Sequence, residues 1–132
     1  IAALAASRAT PDEVQEMERI LESQAREVAA GRTGLAEDAA FHTAVGAAAH
    51  NHAITRIVHA IMDLLTQSRE ESLNTPGRPT RSHQDHRRVL QAITKRNPSA
   101  ARQAMLDHLV AVEALVLGTA SERPERGRRS DP

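Results

Sequence analysis

Asp38 and His42 stand four residues apart in Asp38-Ala39-Ala40-Phe41-His42, one turn above each other if the stretch is helical. Leu35, Asp38, His42, Val45 and Ala49 follow the spacing i, i+3, i+7, i+10, i+14 of an apolar helix stripe, so both groups fall in the row that a helix buries. Burying a polar group without a partner costs roughly 1–3 kcal/mol, and an unpaired charge costs more. A chain that folds with this stripe inward must satisfy a carboxylate and an imidazole from its own interior.

The same anomaly returns twice. His86 shares a face with Val89, Leu90 and Ile93, and His108 lies within the row Ala101, Ala104, Met105, His108, Leu109, Val112 and Leu115. One histidine on an apolar face reads most simply as a core imidazole bonded to a backbone carbonyl. Three of them with a carboxylate, from three segments, point to a shared metal or ligand site. Neutral imidazoles and one carboxylate suit zinc, nickel, iron or manganese and offset the ion's charge where water is scarce. Around an octahedral ion, four such ligands leave two positions for water or a small bidentate acid; around a tetrahedral ion they close the site into a structural staple.

The intervening sequence reads as helices throughout. Residues 1–7 read as the end of a helix begun upstream, and a start at Ile1 reads as a fragment or a processed product. Thr10-Pro11-Asp12-Glu13 supplies a cap, a proline at the first helical position and an acid three residues after the cap, opening a helix to about Ala30. The Asp38/His42 helix follows and stops near His50-Asn51, with Asn51 capping the next. From His52 to about Ser68, Ile54, Ile57, Val58, Ile61, Leu64 and Leu65 make an apolar stripe. Asn74 to Pro79 reads as a loop, Ser82 with Asp85 as a capping box for a helix ending near Arg96, and Asn97-Pro98 as the start of a last helix closing at Gly118. Glu122 to Pro132, charged and without apolar residues, reads as a disordered tail. No alternating strand pattern occurs, so the expectation is an all-α antiparallel bundle of six to seven helices with a short first helix, over residues 1–118.

Composition narrows the function. Lys and Arg total 17, as do Asp and Glu, so there is no basic field for nucleic acid; no cysteine is present, which excludes thiolate sites and disulfides. Phe41 is the single aromatic among Phe, Trp and Tyr, a poor basis for stacking on bases or sugars, and no apolar run is long enough to span a membrane. A di-iron enzyme would need paired Glu-x-x-His motifs, which do not occur. A mononuclear hydrolase would need a base beside its bound water, and no second acid falls on the buried stripes.

The series Asp38-x-x-Phe41-His42, Asn51 after a run of small residues, His86-x-x-Val89-Leu90-x-Ala92-Ile93 and Ala101-x-x-Ala104-Met105-x-x-His108-Leu109 resembles the effector-binding C-terminal domain (FCD) of GntR-family, FadR-subfamily bacterial transcription regulators. The resemblance runs from the alanine-rich start to about Leu117. It implies metal ligands at Asp38, His42, His86 and His108, a divalent ion (zinc or nickel first, manganese or iron next), and a small carboxylate effector on the ion's open positions. It also implies a homodimer in the cytoplasm, reaching DNA only through an N-terminal winged helix-turn-helix that residues 1–132 do not contain. Arg69 could meet an effector carboxylate, although a solvated helix-end arginine is the simpler reading. His83, one turn before His86, could reach the pocket mouth, against a simpler surface role. His50, His52 and His59 read as solvated.

Overall fold

The computed structural model describes the backbone of residues 1–121 and the side chains through Ala114. It is built of α1 (Ala2–Arg8), α2 (Pro11–Ala29), α3 (Leu35–Ala47), α4 (His52–Leu64), α5 (Thr66–Leu73), α6 (Arg78–Thr94) and α7 (Pro98–Ser121), with no strand among the described residues. The local signals explain most of these boundaries. Thr10 and Glu13 form a reciprocal capping box, the Glu13 amide donating to Thr10 Oγ1 at 3.2 Å and the Thr10 amide to Glu13 Oε2 at 2.8 Å. Such caps contribute about 1 kcal/mol each. Asn51 Oδ1 accepts from the Ala53 and Ile54 amides and starts α4.

Three boundaries depart from the sequence expectation. The helix expected from His52 to Ser68 breaks at Leu65 into α4 and α5, where Thr66 Oγ1 donates back to the Met62 carbonyl at 2.9 Å. A hydroxyl bonded to the i−4 carbonyl bends a helix. Ser82 does not open α6, because Gly77, in a left-handed conformation, and Pro79 in the first turn start it a turn earlier. The Ser82 hydroxyl is thereby freed for a partner on another helix. Gly118 does not close the last helix, which continues to Ser121; one glycine costs only about 1 kcal/mol in a helix interior. The expected disordered tail falls, from Glu122 on, outside the described residues.

Among the described residues, α6 packs against α1, α2, α3, α5 and α7, while α4 touches only α3 and α5. The core follows α6: Met17 and Leu21 of α2, Phe41 and Val45 of α3, and Val89 and Ile93 of α6 are all buried, closed by the alanine face of α1. Small residues set the spacing. A Cβ on Gly46 would lie 3.0 Å from Val58, so α3 and α4 meet where a side chain is missing. The α4 stripe, by contrast, is not core. Only Val58 is buried on that helix, and Ile57, Ile61 and Leu64 remain exposed.

Candidate metal and effector site

α3, α6 and α7 each carry one imidazole into the same interior space. One ring nitrogen each from His42, His86 and His108 lies within 4.8 Å of the other two. His86 Nε2 faces His42 Nε2 at 3.3 Å, and its ring stacks on Phe41 with centroids 4.6 Å apart. Two nitrogens each about 2.1 Å from one ion stand ~3.0 Å apart at a right angle and ~3.4 Å apart at a tetrahedral angle. The separation of His42 and His86 falls within that range, so these two imidazoles are spaced as a shared ion requires, with His108 close by.

Two of the far nitrogens face buried oxygens. Gln24 of α2, fully buried, places Oε1 3.1 Å from His86 Nδ1. A carbonyl oxygen can only accept, so Nδ1 carries the proton and Nε2 presents its lone pair inward. A Cβ on Gly34 would come within 3.1 Å of Gln24 Cγ, so the glycine makes room for this contact. Asp85, also fully buried, sets Oδ2 3.5 Å from His108 Nδ1, an approach without a formed hydrogen bond that still favours a proton on that nitrogen. Its other oxygen, Oδ1, accepts from Arg81 Nε at 3.1 Å and from Arg88. Partners of this kind fix ligand tautomer and ring orientation.

Asp38 sits at the edge of the triad. Its Oδ1 is 3.6 Å from His86 Nε2 and accepts from Ser82 Oγ at 2.8 Å; its Oδ2 accepts from Arg69 Nε and Nη2 at 3.0 and 2.8 Å. Burial alone would raise its pKa, but the imidazoles of His86 and His42, the Ser82 hydroxyl and Arg69 outweigh burial and hold it down at about 2. The carboxylate is therefore ionised at neutral pH. The histidines move the other way for an imidazole: burial lowers His42 to about 4 against the pull of Asp38, and pushes His86 and His108 below their ordinary value. Three neutral imidazoles beside one anion are the protonation states that divalent-ion coordination needs. The donor set fits the group.

A cavity of about 120 Å³ opens onto this cluster between α4, α5 and α7. Asp38, His42 and His108 form its polar side, Ile61, Met62, Leu65, Leu73, Leu109 and Val112 its aliphatic walls, and Arg69 and Arg78 its two cations. A larger groove of about 290 Å³ lies between α2 and α6, but it is lined by Glu18, Glu22, Arg87 and Lys95 and holds no convergent donors. The chemistry belongs to the smaller space.

The structure thus brings Asp38, His42, His86 and His108 to one place. Arg69 is not a solvated helix end: its side chain is mostly buried, lines the cavity, and bonds to Asp38 and, at 3.1 Å, to the Leu35 carbonyl. His83 turns toward Leu21 of α2 and does not line the cavity. His52 and His59 are exposed, and His50 pairs with Glu13 at 2.9 Å on the surface. Sequence reasoning missed Gln24, Asp85 and Arg78; the expectation that no second acid falls on the buried stripes did not foresee Asp85, which is buried beside one. Asp85 lies one residue before His86, off the stripe. It is buried because α6 is covered on several sides, and that coverage is what a single-stripe reading overlooks.

The comparisons agree with this architecture. The FCD domain family matches residues 1–111. The chain is 27% identical over 123 residues to the HTH-type transcriptional regulator LutR of Bacillus subtilis, covering 89% of this chain and 56% of that protein. It is 30% identical over 131 residues to the Uxu operon transcriptional regulator of Escherichia coli, covering 89% of this chain and 48% of that one. Among solved structures, Streptococcus agalactiae GntR superposes with a TM-score of 0.72 at 27% identity, over 89% of this chain and 51% of its own. The chain spans about half the length of the curated relatives it matches. With its helix order, its buried histidines and these matches together, the chain belongs to the FCD domain family, the all-α domain of GntR-family transcription regulators.

Proposed function

We propose that this domain senses a small organic acid through a divalent ion held by His42, His86 and His108, with Asp38 as fourth ligand, in a bacterial transcription regulator whose DNA contacts are made by a separate winged helix-turn-helix. The observation that carries the reading is the convergence of three neutral imidazoles, of which His86 meets Gln24 and His108 faces Asp85 through the far nitrogen. Zinc or nickel suits a set rich in imidazole, with manganese or iron as alternatives. When bound, the ion supplies Lewis-acidic coordination positions on the cavity side, where a carboxylate can complete the shell.

The protein's own residues do the rest. Arg69 and Ser82 hold Asp38 in one orientation, tying α3 to α5 and α6. An acid in the cavity touches α3, α4, α5 and α7 at once and favours whichever arrangement of these helices binds it better. The exposed stripe of α4, with Ile57 and Leu64, supports a homodimer through which such a shift reaches the DNA-binding domains. A cytoplasmic location goes with that role, and no described helix is long and apolar enough to cross a membrane. An enzymatic reading is less supported: Asp85, the other buried acid among the described residues, faces His108 Nδ1 and its two arginines and does not line the cavity.

The test is a melting series on chelator-stripped protein, with zinc or nickel added alone and then with a panel of small carboxylates. Stabilisation by the ion, and further stabilisation by at least one acid only when the ion is present, is the expected result. Acids that stabilise the stripped and loaded protein equally would overturn the ion-mediated reading.

A further inference from the structure

Arg78 opens α6 with only 8% of its surface exposed, and it lines the cavity beside the histidines. The other charged groups at the site have partners: Arg69 is paired with Asp38, and Asp85 with Arg81 and Arg88. Arg78 has no ion-pair partner among the described residues. Its Nη1 is buried without a hydrogen bond, and the one side-chain hydrogen bond found for it is long, Nε to Ser72 Oγ at 3.5 Å. A buried cation is costly unless paired, and a guanidinium is shaped to take a carboxylate through two parallel hydrogen bonds. Arg78 and His86 lie eight residues apart on α6, about 12 Å along the helix axis, so the cation and the nitrogen cluster stand at two levels of the same site. Aliphatic side chains of α4, α5 and α7 wall the space that both levels share.

We infer that Arg78 is a second anchor for the effector, and that the effector is a short two-ended acid. One carboxylate meets the Arg78 guanidinium, an aliphatic body lies against Leu73, Leu109 and Val112, and the other acidic end faces the histidine cluster. This rests on the proposed sensing role of the cavity, and it adds what that role leaves open: the effector's second charged group and the residue that selects it. Arg69, which the sequence offered as an alternative anchor, already holds Asp38 through Nε and Nη2.

The experiment is calorimetric titration of succinate and of butyrate, matched in chain length, into zinc-loaded and zinc-free protein, with zinc content measured on each sample. The wild-type protein is expected to bind succinate about tenfold or more tightly than butyrate, the discrimination that one desolvated charge pair supplies. Arg78→Met should abolish the preference with zinc content unchanged, and Arg78→Lys should restore part of it. Equal binding of the two acids by the wild type, or a preference that survives in Arg78→Met, overturns the assignment. Should Arg78→Met not fold, the wild-type ratio and Arg78→Lys decide. Protein that takes up no zinc yet keeps an Arg78-dependent preference would refute the ion-mediated reading and leave this one standing. Zinc uptake without preference does the reverse.

Discussion

The two sides of the site are built differently. On the α2/α6 side, His86, Gln24, Ser82 and Asp85 are each sealed from solvent, and Phe41 stacks on the His86 ring. On the α4/α5 side, Arg69 holds Asp38 from a short helix that follows a break, and Ile61 and Leu65 line the cavity while remaining partly exposed. The first side has the dense burial of a core; the second has few buried apolar contacts, the property of segments that open at low free energy. On the proposed function, the dense side would fix the positions of the imidazoles and the looser side would admit the effector.

The sharpest way to break this comparison is to cut into each side. Phe41→Ala should cost about 3–5 kcal/mol, since the ring is fully buried and supports both the core and His86; chemical denaturation reads it directly. Chelation of ion-loaded protein should cost about 2.7 kcal/mol where free ion had stood at a hundredfold its dissociation constant, a fall in melting temperature on the order of 10 °C. Gln24→Leu should leave the fold intact and weaken ion binding by about 10–100-fold, because His86 loses the acceptor that sets its tautomer; competition with a chromogenic chelator measures this. Unchanged affinity would mean that the α2 contact does not orient the ligand.

pH gives a smaller and graded effect on the metal-free protein. The buried histidines titrate below an imidazole's ordinary value, His42 at about 4 against 6.5, so the unfolded chain binds more protons than the folded one between those values. Stability therefore rises with pH across that window and is lost as the solution is acidified from 6.5 toward 4. Asp38, held at about 2 against 3.8, extends the loss at still lower pH. Melting curves that stay flat from pH 7 to 4 would contradict the buried, neutral state of the triad. The smallest effect belongs to the open side: Leu64→Ser, at a residue 81% exposed, should change the stability of the isolated chain by about 0.5 kcal/mol or less. A loss of several kcal/mol there would mean that α4 is as tightly held as α6.

Much of this was legible in the sequence, and what was not follows a pattern. The caps at Thr10 and Asn51 are local chemistry, and they fell where expected. The three histidines stood out because each broke an apolar row, and rows are what helical period reveals. Gln24 and Arg78 were overlooked although the same period marks them: Gln24 stands in the row of Met17 and Leu21 on α2, and Arg78 stands three turns before Val89 on α6. Asp85 sits beside the stripe and is buried by neighbours that only the tertiary arrangement supplies. Ser82 misled because a serine three residues before an acid is a capping signal wherever it occurs, yet here Gly77 and Pro79 had already started the helix. The α4 stripe misled in the opposite sense, since amphipathic periodicity says that a face prefers to be covered and does not say by what.

The proposed function stands or falls with one divalent ion held jointly by His42, His86 and His108. Elemental analysis of wild-type and His86→Ala protein, each dialysed against zinc and then against buffer, tests it most directly. About one equivalent of zinc per wild-type chain is expected and little in the variant, whose affinity should fall by more than the ~10–100-fold that follows loss of an orienting partner. Equal zinc in both proteins, or none in either, would contradict it.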